Sequence, residues 1–314
     1  MKLSTLLFAL GASYGLVSAR VPLVDRDNDL LHGGNPGTLS DDIPHGGYPI
    51  FPDSTRVRRR AGFGAAPIPA GTTSSGESIT ENWGGLIVRN PPPNEHFISA
   101  SAQIQVPDIK LPAGAPDGKY VTTIWVGIDG TDGNPGLFQA GMALNLFKDS
   151  KGTRVESDVW VEWFPDPQIG LDDKNEIDIK PGDWIDVQVV TDSSIERPST
   201  GTIKIENFNT GKKAVRTLHA PRPGLELPGK SVEWIVERLT SNGQLSTLPD
   251  FGTVHFINCH ALTKGNAGSG SPGRDMYLDN AEEIILDQNG VLMTNIVRPE
   301  NGVEFFVEYK PHKQ

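Results

Sequence analysis

From Asn82 to the C-terminus the chain repeats one pattern, short runs of alternating apolar and polar residues separated by turn residues. A period of two sends successive side chains to opposite faces of a strand. The run from Phe97 to Val106, Y-V-T-T-I-W-V-G-I-D-G from Tyr120, and G-T-I-K-I-E-N-F from Gly201 all follow it, and helical periodicity is nearly absent. Many short strands with hairpin signals and no interleaved helices predict an all-β fold. The expected architecture is a two-sheet antiparallel β-sandwich over residues 79–314, of the concanavalin A or lectin-like kind. Within it, E-I-D-I-K and D-W-I-D-V-Q-V-V read as two strands joined at Pro181 and Gly182, and Gly265 to Gly273 reads as a flexible loop. No repeat of fixed period points to a propeller or solenoid.

The N-terminus is of another kind. Lys2, the apolar run L-L-F-A-L-G-A and the small residues ending at Ala19 describe a secretory signal peptide, residues 1–19. No later apolar stretch is long enough to span a bilayer as a helix, so export and release are expected. Residues 20–78 are rich in Pro, Gly, Asp and Ser, keep neither period, and carry the basic cluster Arg56 to Arg60. They read as a propeptide or a linker. A basic arm on an acidic body suggests an intramolecular inhibitor lying over a carboxylate-lined cleft and released in acid.

Charge supports that division. The chain has 28 basic and 39 acidic residues; the first sixty hold seven and six of them, leaving 21 against 33. An acidic surface argues against nucleic acid or anionic membrane as partner. Cys259 is the single cysteine, so no intrachain disulfide can form, and stability must come from a sizeable apolar core. The seven His residues show no H-x-x-x-H spacing, so neither metal nor other cofactor is expected. A monomer is the default for a small secreted hydrolase.

Three strands carry the candidate chemistry. In S-V-E-W-I-V-E, alternation places Glu233, Ile235 and Glu237 on one face and Trp234 and Val236 on the other. L-F-Q-A-G puts Leu137, Gln139 and Gly141 together, and W-V-E-W-F puts Trp160, Glu162 and Phe164 together. These strands read as the floor of a polar groove. Trp83 and Trp125 flank Gly-rich turns and read as its walls, whereas Trp163 falls on the opposite face and reads as core. Carboxylates with aromatic walls also describe a sugar cleft, a glycoside hydrolase or carbohydrate-binding sandwich. A non-catalytic adhesion protein with a wetted carboxylate face stays open as well.

The strings N-W-G-G at Asn82, W-V-G-I-D-G at Trp125, L-F-Q-A-G at Leu137, W-V-E-W-F-P at Trp160, I-K-P-G-D-W-I at Ile179, E-N-F-N-T-G-K at Glu206 and E-W-I-V-E at Glu233 resemble the secreted fungal glutamic peptidases, or eqolisins. The resemblance implies an acid endopeptidase made with a propeptide. It puts the catalytic pair on Gln139 and Glu237, and cleft or supporting roles on Trp83, Trp125, Asp129, Glu162 and Glu233. Such chemistry suits acid, where an imidazole base is already protonated. Glu237 would take a proton from water and then deliver one to the departing nitrogen, while the Gln139 amide stabilises the oxyanion. Asp129 is either a turn former or a hydrogen-bonding partner that orients the Gln139 amide or a substrate group. Glu162 and Glu233 would raise the pKa of Glu237 by like charge. The familiar members carry an Asp four residues after the Gln, where this chain has Ala143.

Overall fold

In the computed structural model, residues 77–131, 135–171, 176–241 and 244–313 are described. The leader and the segment carrying Arg56 to Arg60 lie outside them. Eighteen strands follow in chain order. They are β1 (Glu77–Thr80), β2 (Trp83–Arg89), β3 (Glu95–Gln105), β4 (Gly118–Asp129), β5 (Leu137–Asp149), β6 (Gly152–Phe164), β7 (Ile169–Gly170), β8 (Trp184–Thr191) and β9 (Thr200–Asn207). The second half supplies β10 (Lys212–His219), β11 (Ser231–Glu237), β12 (Thr240–Ser241), β13 (Gln244–Leu245), β14 (Thr253–Gly265), β15 (Asp275–Met276), β16 (Glu282–Leu286), β17 (Val291–Val297) and β18 (Phe305–Lys313). One 3-10 turn, Leu278–Asn280, is the only helical element among the described residues.

Two large sheets result. One runs β1-β16-β2-β11-β4-β5-β6-β7, the other β10-β9-β8-β3-β14-β18-β17 with β15 paired to β14. All their pairings are antiparallel except β1 with β16. The alternation that predicts strands also fills the space between the sheets. Leu86, Ile124, Val126, Phe138, Val161, Trp234 and Val236 of the first sheet share one apolar cluster with Ile104, Val187, Ile205, Phe256 and Phe305 of the second. Cys259 lies in that cluster and is fully buried.

The first sheet departs from simple alternation, because its central strands are buried on both faces. On the side away from the main core, Ile87, Trp125, Leu137, Ala143, Trp160, Ile235 and Ile284 form a second apolar cluster, with Trp83 packed against it. That face carries the residues expected from sequence to floor a groove. One expectation is corrected. Ile177 to Lys180 form no strand; Ile177 instead drops into the core while Asn207 Nδ2 donates to the Asp178 carbonyl at 2.8 Å, which holds the segment as an irregular cover. Glu77 and Ser78 open β1 and pair with β16.

Candidate active site

The register sets the groove floor in rows across β11, β4, β5 and β6. One row holds Glu237, Thr123, Ala143 and Asp158, with Trp83 of β2 opposite Glu237. The next holds Ile235, Trp125, Gly141 and Trp160, and the third Glu233, Gly127, Gln139 and Glu162. Glu237 and Gln139 therefore sit two rows apart, about 13 Å along strands of ordinary rise. Between them Gly141 lets β4 and β5 approach closely. A Cβ there would lie 2.1 Å from the Ile124 carbonyl, so the two strands reach this approach only with glycine.

Glu237 is partly exposed at the end of β11. Its Oε2 accepts the indole N–H of Trp125 at 2.8 Å and the Thr123 hydroxyl at 3.3 Å, and its Oε1 accepts the indole N–H of Trp83 at 3.2 Å. The two indoles meet edge to face, with ring centroids 5.0 Å apart. Burial pushes the carboxyl up to about 7, while these three donors pull it back by favouring the ionised form. The like-charge effect expected from Glu162 and Glu233 is therefore not what sets Glu237; loss of solvent is.

Gln139, buried to 4 % exposure, donates its Nε2–H to Glu162 Oε2. Its Oε1 and the Trp160 indole nitrogen, both buried, have no hydrogen-bond partner among the described residues. Glu162 is pushed up to about 8, first by burial, then by the charges of Glu237 and Asp166, against the pull of Gln139. At that value Glu162 is neutral throughout the acid range. Glu233 is fully buried in the Gln139 row, and Gly127, lacking a side chain, stands between the two.

Asp129 stands apart from Gln139. Its backbone takes φ 68°, and its carboxylate accepts the N–H groups of Gly229 at 2.8 Å and Lys230 at 2.6 Å. Asp129 thereby ties its turn to the Gly229–Lys230 segment, while the Gln139 amide is held by its hydrogen bond to Glu162. Burial raises Asp129 to about 6 although backbone donors oppose it. Trp163 is core, its indole donating to the Leu225 carbonyl at 3.0 Å. Thr123 and Asp158 are site neighbours that the sequence reading missed. Both are in-register partners, and partnership becomes visible only once strand order is known.

The fold is an all-β two-sheet sandwich, and one face of it gathers several carboxyls and one carboxamide. The profile of the Peptidase A4 family matches residues 81–305. Aspergillopepsin-2 of Aspergillus niger is 25 % identical over 302 residues, 91 % of this chain and 95 % of the relative. Scytalidopepsin B of Scytalidium lignicola is 28 % identical over 245 residues, 75 % of this chain and 82 % of the relative. A scytalido-glutamic peptidase solved with a transition-state analogue inhibitor superposes with a TM-score of 0.57 at 24 % identity, covering 73 % of this chain and 98 % of that one, and so shares the fold. The chain belongs to the Peptidase A4 family, the glutamic peptidases or eqolisins. It is an acid endopeptidase of the glutamic type, working through a glutamate and a glutamine. The sugar-cleft and adhesion alternatives lapse with that membership.

Proposed function

We propose that Glu237 and Gln139 are the reactive pair, and that the chain hydrolyses peptide bonds of extended substrates laid across the floor at Gly141. The supporting observation is the cradle around Glu237, a partly exposed carboxyl held by two indoles and a hydroxyl, none of which titrates in acid. With its value near 7, the carboxyl carries its proton throughout the acid range, and the turnover is written from that state. Glu237 gives its proton to the scissile amide nitrogen. The carboxylate so formed takes a proton from the water that adds to the carbonyl carbon, and the C–N bond breaks to release amine and acid. Glu237 is thus base toward water and acid toward the leaving group, and it ends as it began. The second N–H of the Gln139 amide faces the developing oxyanion, while Glu162 fixes the first.

Secretion with residues 1–19 as leader, inhibition by the basic segment within 20–78, a concanavalin A-like relation of the sandwich, and a monomeric state belong to the same proposal. The charge asymmetry between the first sixty residues and the rest supports the inhibitory part. Cleavage of a denatured protein between about pH 2 and 7 tests the pair. Folded Gln139→Ala should lose about 100- to 1000-fold in kcat, the usual cost of one oxyanion donor. Folded Glu237→Gln should lose essentially all activity. Near-normal turnover by either variant would remove that residue from the mechanism.

A further inference from the structure

Arg238 follows Glu237 directly, with the parity of Trp234 and Val236, which face the main core. A cation at 6 % exposure on that side is costly unless its donors are engaged. Arg238 Nε donates to the Ser246 carbonyl at 2.9 Å, and Nη1 donates to the carbonyls of Glu81 at 3.0 Å and Asp287 at 3.1 Å. Its backbone N–H donates to the Asn82 carbonyl at 2.8 Å. Three segments converge on one residue: the step from β1 to β2 just before Trp83, the base of the β12–β13 hairpin, and the turn after β16.

The chemistry of these acceptors matters in acid. The charges of Glu81 and Asp287 favour the guanidinium, while burial opposes it. Backbone carbonyls do not titrate, so the recorded bonds persist at low pH. A chain with one cysteine has no covalent tie to offer in their place. The gripped segment leads straight into Trp83, which donates to Glu237 and whose backbone is tied on its other side to the Thr80 hydroxyl at 2.7 and 2.9 Å.

We infer that Arg238 is a positioning residue of the proteolytic site, holding the Glu81–Asn82 step, and through it the Trp83 indole, against the Glu237 carboxyl by carbonyl-directed bonds that survive in acid. The inference rests on Glu237 being the reactive carboxyl. Loosening Trp83 weakens a donor that favours ionised Glu237, so the alkaline limb of the pH profile moves up. Other carboxyls lie around Glu237: Glu233 on its own strand, Asp158 and Glu162 from β6, and Glu81 and Asp287 behind Arg238. They are common to every protein compared.

The test measures kcat and KM against pH for wild type, Arg238→Met, Arg238→Lys, Trp83→Phe and the Arg238→Met/Trp83→Phe double variant, all shown folded in acid by circular dichroism. Arg238→Met is expected to lower kcat about tenfold with KM little changed, and to raise the alkaline limb by about half a unit, in the direction Trp83→Phe moves it. The double variant should shift no further than Trp83→Phe alone. Arg238→Lys, keeping a charge but not the planar fork, should fall between wild type and Arg238→Met. If Arg238→Met does not fold, a limb raised above wild type in Arg238→Lys decides for the inference, and an unmoved one against it. An unmoved limb, or shifts that add in the double variant, overturns the inference. Retained activity in Glu237→Gln would instead overturn the reading of the site, which keeps the two failures distinct.

Discussion

The Trp125 indole is fully buried, yet its N–H ends on a partly exposed carboxyl. It is the shortest of the three donors to Glu237 and the first cause opposing the upward push of burial. Trp125→Phe keeps the ring bulk and removes that donor. The alkaline limb of kcat/KM is expected to rise by about one unit, since a hydrogen bond to the ionised form is lost. A limb that stays in place would show that the cradle does not tune this carboxyl. Alternation revealed which face Gln139, Glu162, Glu233 and Glu237 share, and the Gly-rich neighbours marked Trp83 and Trp125. What each indole reaches for was hidden, because it depends on β11 lying between β2 and β4. Arg238 did leave a trace, a charge at the parity of Trp234 and Val236.

Among the elements, the glycine-rich run Gly265 to Gly273 shows how a loop expected to be flexible is tied down. Glu95, the first residue of β3, accepts the Thr263 hydroxyl at 2.5 Å, the Ser271 hydroxyl at 2.7 Å, and Arg274 Nη2 at 2.5 Å. Burial would raise its carboxyl, but Arg274, Thr263 and Ser271 together outweigh burial and hold it at about 2. The folded value is depressed, so this stabilisation is present above the unfolded value near 4.5 and lost as pH falls through about 2. Glu95→Gln should therefore melt below wild type at pH 5, with the two melting temperatures converging near pH 2; a constant gap would contradict the assignment. Long alternating strands were legible because burial on one face imprints a period of two. The two-residue strands β7, β12, β13 and β15 are too short to carry a period, and Glu176 to Lys180 alternates without pairing.

For the molecule as a whole, four carboxyls share one direction. Burial raises Asp129 and Asp186 to about 6, Glu237 to about 7 and Glu162 to about 8. The folded protein holds protons that the unfolded chain surrenders above about pH 4, so this stability is full in acid and drains as pH rises through 6 to 8. Urea midpoints should fall steadily from about pH 4 to 8, and Asp186→Asn, on the sheet away from the groove, should flatten the part below about pH 6. A midpoint that climbs toward neutrality would refute this. The sequence announced an acidic body but not which carboxyls lose their water, since that follows from a sheet packed on both faces. Cys259, sealed between the sheets, adds a built-in clock. A thiol reagent reaches that sulfur only when β14 parts from its neighbours. Labelling speed therefore counts how often the sandwich opens, with no probe to engineer and no second thiol to confuse the signal.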